Sequence, residues 1–394
     1  MTGHTSPEGF VASGWEPVRD AFAQNFAEGR DVGAGVAIYH RGELKVDLRG
    51  GWFDSAQSRP YDHNTLQLVF STTKGVTAIA VGMCVDRGLL SYDEKVSTYW
   101  PEFAAGGKGD ITVAQLLSHQ AGLYSVDGPI TVDDALDWGT ITARLAAQAP
   151  LFTPGSTHGY HALTYGWLAG ELVRRVDPQH RSLGTFVTQE ITGPLGAEFW
   201  VGLPEQHESR VSPMIAAAPP EDPAILKMMM DMMGPGTNAF RALYLEGAFF
   251  PQPHQQSPFN TRAVHAAEIP AANGIGTAAA LAKIYAATLQ PIDGVQLLSA
   301  ATRERARKTV TPAGEADACL VLPSTFGMGF MTTGFMSPYL GEGCYGHPGA
   351  GGSVAFAAPE DEIAFAYVMN QMDNNLANDP RTVNLCAAVR GIIG

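Results

Sequence analysis

Phe70-Ser71-Thr72-Thr73-Lys74-Gly75 is the stretch from which the rest of the chain can be interpreted. Residues three positions apart lie on one face of a helix, so the Ser71 hydroxyl and the Lys74 amine can meet across one turn. Apolar residues precede the stretch at 66–70 and recur at helical spacing after it, up to Gly88. This pattern predicts a helix that begins at or near Ser71. The unpaired N–H groups at such a helix start favour an alkoxide and the oxyanion that follows it.

The pair has two interpretations. In the first, Ser71 is a nucleophile and Lys74 is its base, because a serine hydroxyl is a weak nucleophile near neutral pH. The lysine pKa of about 10.4 must then fall by roughly three units, which burial and a neighbouring cation can supply. In the second, Ser71 caps a helix and Lys74 is an unrelated surface residue. The first is favoured because the flanks are apolar, where a solvated lysine would be out of place. The chain also has only seven lysines, and Ser71 is its only serine that is followed by a lysine three positions later.

Composition excludes several classes of protein. The 394 residues are 45% apolar and 16% charged, which predicts a globular chain of two domains, or one large domain with an insertion. The net charge of −14 argues against nucleic acid and anionic membrane as partners. No stretch approaches the roughly 18 apolar residues of a membrane span, and residues 1–14 lack the apolar core of a signal peptide. Four cysteines are widely spaced in the sequence: Cys84, Cys319, Cys344 and Cys386. We expect them to be reduced thiols and the protein to be cytoplasmic.

Strand patterns lie at both ends of the chain and helical patterns lie between them. Strands are predicted at 35–40 and 43–48, about an Arg41-Gly42 turn, and at 353–358 and 362–369. Helices are predicted at 15–28, 110–119, 131–149, 163–176, 182–193, 278–289 and 379–392. The sequence therefore predicts an α+β protein. Its α/β domain comprises 1–90 and 270–394, with an antiparallel sheet, and a mostly helical domain at 91–269 forms the other wall of the active-site cleft.

The run Met228-Met229-Met230-Asp231-Met232-Met233 also has two interpretations. Methionines adapt to varied apolar shapes, so the run could line an acyl pocket or form a lid. The other interpretation is a short core helix, which the sequence alone favours.

Two further stretches carry candidate site residues. Tyr160 stands on a glycine-bounded turn ahead of a helical run, where its phenol can reach a cleft and relay a proton, as phenolate or beside a lysine cation. The alternative is a buried tyrosine that bonds the backbone. The glycine-rich residues 346–353 enter a strand, so a substrate can approach the backbone N–H groups of Gly349 and Ala350. The alternative there is a flexible or bulged strand entry.

In order and spacing, these stretches resemble the serine β-lactamase and penicillin-binding-protein superfamily, which carries Ser-x-x-Lys, then Tyr-x-Asn or Ser-x-Asn, then Lys-Thr-Gly. The segment at 116–123 is similar to that family's LLSHTSGL stretch, and 271–277 and 347–353 look typical of family VIII carboxylesterases. The resemblance implies a β-lactamase/transpeptidase-like fold without metal or cofactor. It also implies Ser71 as nucleophile, Lys74 as base, Tyr160 as second acid/base, and the Ser71 and Ala350 N–H groups as oxyanion hole.

Two positions depart from the family pattern. The asparagine two residues after the tyrosine is Ala162, and the strand lysine is His347, a weaker and pH-dependent anchor for a substrate carboxylate. With Gly349, these positions are expected to contact substrate. The departures favour a carboxylesterase for small neutral esters over efficient β-lactam or peptidoglycan processing. A β-lactamase or D-Ala-D-Ala peptidase, an acyltransferase and an inactive scaffold remain alternatives, and the sequence predicts neither the natural substrate nor the oligomeric state.

Overall fold

The computed structural model describes residues 6–252, 256–312, 314–374 and 377–394. Within these ranges the strands are β1 (Glu8–Val11), β2 (Gly33–His40), β3 (Glu43–Gly51), β4 (Leu66–Leu68), β5 (Phe199–Trp200), β6 (Val211–Ser212), β7 (Ile275–Gly276), β8 (Met331–Thr332), β9 (Tyr345–Pro348), β10 (Val354–Ala358) and β11 (Ile363–Met369). The helices are α1 (Glu16–Ala27), α2 (Thr73–Asp86), α3 (Val96–Tyr99), α4 (Val113–Leu117), α5 (Val132–Leu136), α6 (Trp138–Ala147), α7 (Thr164–Val176), α8 (Leu183–Val187), α9 (Gly193–Leu195), α10 (Pro223–Met233), α11 (Asn238–Tyr244), α12 (Arg262–Ala266), α13 (Ala278–Leu289), α14 (Ala300–Arg307) and α15 (Pro380–Ile393).

The main sheet combines both ends of the chain, as predicted. Its seven strands lie in the order β1-β3-β2-β11-β10-β9-β8, and every neighbouring pair is antiparallel. Strands β10 and β11 are buried along their whole length. Helix α13 packs on these central strands and on β2, while α1 and α15 pack against each other. These three helices begin and end within one residue of their predicted limits.

A second, smaller sheet was not predicted. Its order is β5-β7-β4-β6, so strands from the two predicted domains pair with each other. Strands of two or three residues show no alternation that a sequence pattern could reveal. The sheet matters for the site because β4 ends at Leu68, just before Ser71. The division of the chain into domains stays a prediction.

The helical middle of the chain follows the predicted pattern with local breaks. Helix α2 is buried from Thr73 to Cys84 and packs against α7. The predicted helix at 131–149 is divided into α5 and α6 at Asp137, whose side chain accepts from the Thr140 N–H and caps the second segment. Short polar side chains compete for backbone groups in this way, which ends one helix and begins the next.

The methionine run lies in a helix, but that helix is not part of the core. No residue of α10 is fully buried, and Ile225, Leu226, Met228 and Met230 are between 42% and 54% exposed. The favoured interpretation as a core helix is therefore wrong, because apolar composition alone does not decide whether a helix is buried. A lid or acyl pocket stays a prediction. In the described ranges, no helix combines the length and apolar character that crossing a bilayer requires.

Candidate active site

Ser71 lies on a strained turn between β4 and α2. The turn is a short 3-10 helix at Phe70–Thr72, and Phe70 has a φ of 43°, a left-handed conformation that is costly for a bulky residue. The Phe70 carbonyl accepts from Thr73 Oγ1 at 2.5 Å, and Thr73 Oγ1 in turn accepts from the Gly274 N–H at 2.9 Å. The phenyl ring packs edge-on against Phe259 at 5.0 Å. These contacts hold the turn, and Ser71 stands at the helix start as predicted.

Lys74 is completely buried next to Ser71. Its Nζ lies 3.0 Å from Ser71 Oγ, 2.6 Å from the Ala162 carbonyl oxygen and 3.0 Å from the Ala271 carbonyl oxygen. Burial lowers the pKa of Lys74 well below its ordinary value of 10.5. A neutral amine has two N–H groups and one lone pair; with both N–H groups donated to carbonyls, the lone pair faces the serine O–H. The alternative of a surface lysine is therefore wrong.

The two carbonyls that hold Lys74 were not predicted. Ala162 lacks the family's side-chain amide, yet its backbone oxygen contacts the amine. Ala271 lies on a loop that the Asn273 side chain closes by accepting from the Ile269 N–H at 2.9 Å and donating to the Val264 carbonyl at 2.8 Å. The sequence offered only one signal for this loop, the likeness of 271–277 to a carboxylesterase segment.

Tyr160 directs its phenol to the same serine. Its hydroxyl is close enough to the Ser71 side chain for that serine to lower the pKa of the phenol slightly, and its ring centroid lies 4.8 Å from Lys74 Nζ. Burial raises the pKa of Tyr160, so the group is a neutral phenol at neutral pH. A phenolate does not fit here, because the buried amine beside it carries no stabilising charge. The alternative interpretation of Tyr160, a buried tyrosine whose hydroxyl bonds the backbone, is therefore wrong.

A buried carboxylate that was not predicted positions the Tyr160 backbone. Asp317 Oδ1 accepts from the N–H groups of Tyr160 at 3.0 Å, Cys319 at 2.8 Å and Leu320 at 3.0 Å. Its Oδ2 accepts from Ser324 Oγ at 2.7 Å. These four hydrogen bonds satisfy a carboxylate that has no exposed surface and connect two loops that are distant in sequence.

Burial leaves His347 uncharged at neutral pH, so it could offer a substrate carboxylate only a hydrogen bond, and its contact with substrate stays a prediction. Its Nδ1–H donates to the Pro348 carbonyl at 2.7 Å, and its Nε2 has no partner among the described residues. The imidazole stacks on Tyr160, with ring centroids 5.8 Å apart. Burial lowers the pKa of His347 to about 3. Burial also lowers the pKa of His119 and, to about 4, that of His161, so these two imidazoles carry no charge at neutral pH.

The strand entry at the end of β9 packs directly on the nucleophile turn. Ser353 Oγ donates to the Val69 carbonyl at 2.8 Å, and a Cβ at Gly349 would lie only 2.3 Å from that same oxygen. The Gly349 N–H donates to the Ser353 carbonyl at 2.6 Å, so the prediction of Gly349 as a donor to substrate is wrong. The N–H groups of Ser71 and Ala350 have no acceptor among the described residues. In the same ranges, no group of His, Cys, Asp and Glu side chains could hold a metal ion.

An antiparallel sheet from both chain ends, a helical middle and a serine paired with a buried lysine define a serine hydrolase with a β-lactamase/transpeptidase-like fold. The profile of the β-lactamase family matches residues 18–388, and the chain belongs to that family. The resemblance found in the sequence is thus confirmed.

Two solved structures and one curated protein are similar over most of their lengths. The crystal structure of a family VIII carboxylesterase has a TM-score of 0.86 and 37% identity, covering 98% of this chain and 99% of that chain. A penicillin-binding-protein homologue from Caulobacter crescentus has a TM-score of 0.84 and 37% identity, with the same coverage of 98% and 99%. Esterase/beta-lactamase LipL of Mycobacterium tuberculosis (strain ATCC 25618 / H37Rv) is 36% identical over 368 residues, covering 89% of this chain and 80% of that protein.

Proposed function

We propose that this protein is a carboxylesterase that hydrolyses small, mainly neutral esters through an acyl-enzyme intermediate on Ser71. The observation that carries the proposal is the buried Lys74 amine, 3.0 Å from Ser71 Oγ, with its pKa well below the ordinary value. The similarity to a family VIII carboxylesterase and to an esterase/beta-lactamase supports this choice among serine hydrolases.

The first step forms the acyl-enzyme. Ser71 Oγ attacks the ester carbonyl carbon while Lys74 takes the hydroxyl proton and becomes an ammonium. The tetrahedral oxyanion accepts from the N–H groups of Ser71 and Ala350, and one such donor typically lowers the barrier by about 3 kcal/mol. The ester C–O bond then breaks, and the proton passes from Lys74 through the Tyr160 hydroxyl to the departing alcohol.

The second step releases the acid by the same chemistry in reverse. Water attacks the acyl carbon, and the neutral Lys74 and Tyr160 pair accepts its proton. When the tetrahedral intermediate collapses, the proton returns to Ser71 Oγ and the carboxylic acid leaves. Every proton that Lys74 accepts is returned within one cycle, so the amine is neutral again at its end.

The surroundings of the site favour uncharged substrates. Neutral His347 offers no charge to a substrate carboxylate. Tyr160 and Ala162 belong to an apolar cluster with Tyr124 and Phe326, which suits acyl or alcohol groups without charge. The net charge of −14 also disfavours anionic esters.

The test compares Ser71→Ala with Ser55→Ala, which changes an exposed serine in a turn that follows β3. Purified proteins are assayed with p-nitrophenyl butyrate and labelled with a fluorophosphonate. We expect Ser71→Ala to lose both turnover and labelling, while Ser55→Ala keeps both. Lys74→Ala and Tyr160→Phe should each lower kcat by about 10²-fold or more, since each removes a group that moves the proton. A Ser71→Ala variant with wild-type turnover would overturn the proposal.

β-Lactam hydrolysis is the second candidate, because a protein that is similar to this chain over most of its length is described as an esterase/beta-lactamase. A nitrocefin assay beside a series of esters of increasing acyl length separates the two. We expect kcat/KM for nitrocefin to lie well below that for short-chain esters, since Ala162 and neutral His347 give the β-lactam amide and carboxylate weak contacts. A nitrocefin kcat/KM equal to the best ester value would favour the second candidate.

A further inference from the structure

Arg381, in the first turn of α15, is completely buried and reaches the turn that carries Ala350. Its Nη2 donates to the Gly351 carbonyl at 2.5 Å and to Asp379 Oδ2 at 2.6 Å. Its Nη1 donates to the Gln371 carbonyl at 2.7 Å and approaches Asp31 Oδ1 at 3.3 Å. One guanidinium therefore connects the C-terminal helix, the N-terminal part of the chain and the end of the sheet.

The two carboxylates account for burial of the charge, but not for the contact with the turn. A buried cation is tolerated when it is paired, and Asp31 and Asp379 provide that pairing. The hydrogen bond to the Gly351 carbonyl is not needed for this pairing. The planar guanidinium of arginine can make it while it also binds the carboxylates, which a lysine ammonium cannot do in the same geometry. The Asp373 N–H also donates to that carbonyl at 3.0 Å. The turn therefore keeps one anchor when the guanidinium is removed.

The turn needs an external support because its own residues are permissive. Gly351 has a φ of 83° and Gly352 a φ of 126°, regions that glycine enters easily and leaves easily. A Cβ at Gly352 would lie 2.2 Å from Arg381 Nη2, so the guanidinium packs directly against the backbone of the turn. The start of the turn is fixed by the Gly349 N–H, which donates to the Ser353 carbonyl at 2.6 Å. Between these two supports stands Ala350, whose N–H is unpaired among the described residues.

We propose that Arg381 is a positioning residue for ester hydrolysis: by holding the Gly351 carbonyl, it sets the orientation of the Ala350 N–H toward the oxyanion. The inference rests on the proposed function and adds to it a residue outside every sequence motif of the site. Arg381 does not touch substrate. Its contribution appears when charge develops on the carbonyl oxygen, so it acts on the chemical step more than on substrate binding.

The test is Arg381→Lys, which keeps the charge and removes the fork. The matched control is Arg181→Lys, because Arg181 is also mostly buried and also binds two carboxylates, those of Asp177 and Glu190. Each protein is titrated with a fluorophosphonate, so that rates are expressed per competent Ser71. The readouts are kcat and KM for p-nitrophenyl butyrate, inhibition by an aryl trifluoromethyl ketone, which forms a tetrahedral oxyanion on the serine, and the melting temperature.

We expect Arg381→Lys to lower kcat by about 10- to 100-fold, with KM nearly unchanged, because a displaced oxyanion donor weakens only the transition state. Affinity for the trifluoromethyl ketone should fall by a similar factor. The control Arg181→Lys should have a lower melting temperature than the wild type but the same kcat. Should Arg381→Lys fail to fold, Asp379→Asn loosens the same guanidinium and should show a smaller loss of the same kind. A folded variant with the kcat and ketone affinity of the control would overturn the inference, whereas a wild type that neither labels nor hydrolyses ester would overturn the proposed function itself.

Discussion

An alanine at position 349 would place a methyl group where the structure has no room for one. The new Cβ would lie 2.2 Å from Ser353 Oγ and 2.3 Å from the Val69 carbonyl oxygen. An ordinary contact begins at 3.4 Å, so the end of the strand must move by about 1 Å. The Val69 oxygen cannot easily retreat, because it already accepts from Ser353 Oγ at 2.8 Å and from the Thr72 N–H at 3.2 Å.

The displacement falls on the residue that follows, Ala350, the proposed oxyanion donor. A misplacement of about 1 Å can cost about 10²-fold in rate, and loss of one oxyanion donor about 10²- to 10³-fold in kcat. We therefore expect Gly349→Ala to lower kcat by about 10²- to 10³-fold and to leave KM nearly unchanged. Overpacking of this kind destabilises a fold by about 1–3 kcal/mol, which lowers the melting temperature by only a few degrees.

The measurement is steady-state hydrolysis of p-nitrophenyl butyrate, normalised by fluorophosphonate titration, with thermal unfolding followed in parallel. Gly391→Ala is the matched control, because a Cβ there meets no atom within 4 Å and the residue lies in α15. It should keep full activity and wild-type stability. If Gly349→Ala retained the kcat of this control while remaining folded, the assignment of the strand end as an oxyanion support would be refuted.

Three further predictions follow from burial. For a neutral ester, kcat/KM should rise with pH along one limb whose midpoint lies well below 10.5, because only neutral Lys74 accepts the proton; His347→Gln should leave that midpoint in place, and a midpoint near 10.5 would contradict the role of Lys74. Burial raises the pKa of Asp31 from 3.8 to about 6, so the folded protein favours the protonated carboxyl. The contribution of Asp31 to the free energy of unfolding is therefore most favourable below pH 4, and it is lost as the pH rises to about 6. Urea unfolding should then show Asp31→Asn gaining about 3 kcal/mol relative to wild type between pH 4 and pH 7, and a pH-independent difference would contradict this. A thiol reagent should label no cysteine of the native protein, because burial raises the thiol pKa of Cys84, Cys319, Cys344 and Cys386. Fast labelling of the native protein would contradict the structure.

The features that the sequence predicted well are those with a local signature. The spacing of Ser71 and Lys74 determines that they meet on one helix face, and alternation identifies the strands of the main sheet at both chain ends. The family resemblance brought Tyr160 into the same site, and the structure directs its hydroxyl to Ser71.

The features that were missed depend on contacts between distant residues. Asp317 holds the backbone of Tyr160 from 157 positions away, and the Gly351 carbonyl meets Arg381 across 30 positions. Nothing in the local sequence marks either residue. The extent to which the pKa of His347 is lowered could not be predicted for a related reason, because it is set by burial of the imidazole and not by the residue type. Burial is decided by the whole fold, as the exposed methionines of α10 also demonstrate.

The acceptors that orient Lys74 are main-chain oxygens of Ala162 and Ala271, so the identity of the side chains at these two positions does not enter the geometry of the base. Substitution of Ala162, a position predicted to contact substrate, should therefore leave the position of the Lys74 amine unchanged. The general base is thus held independently of the side chains at the two positions that orient it.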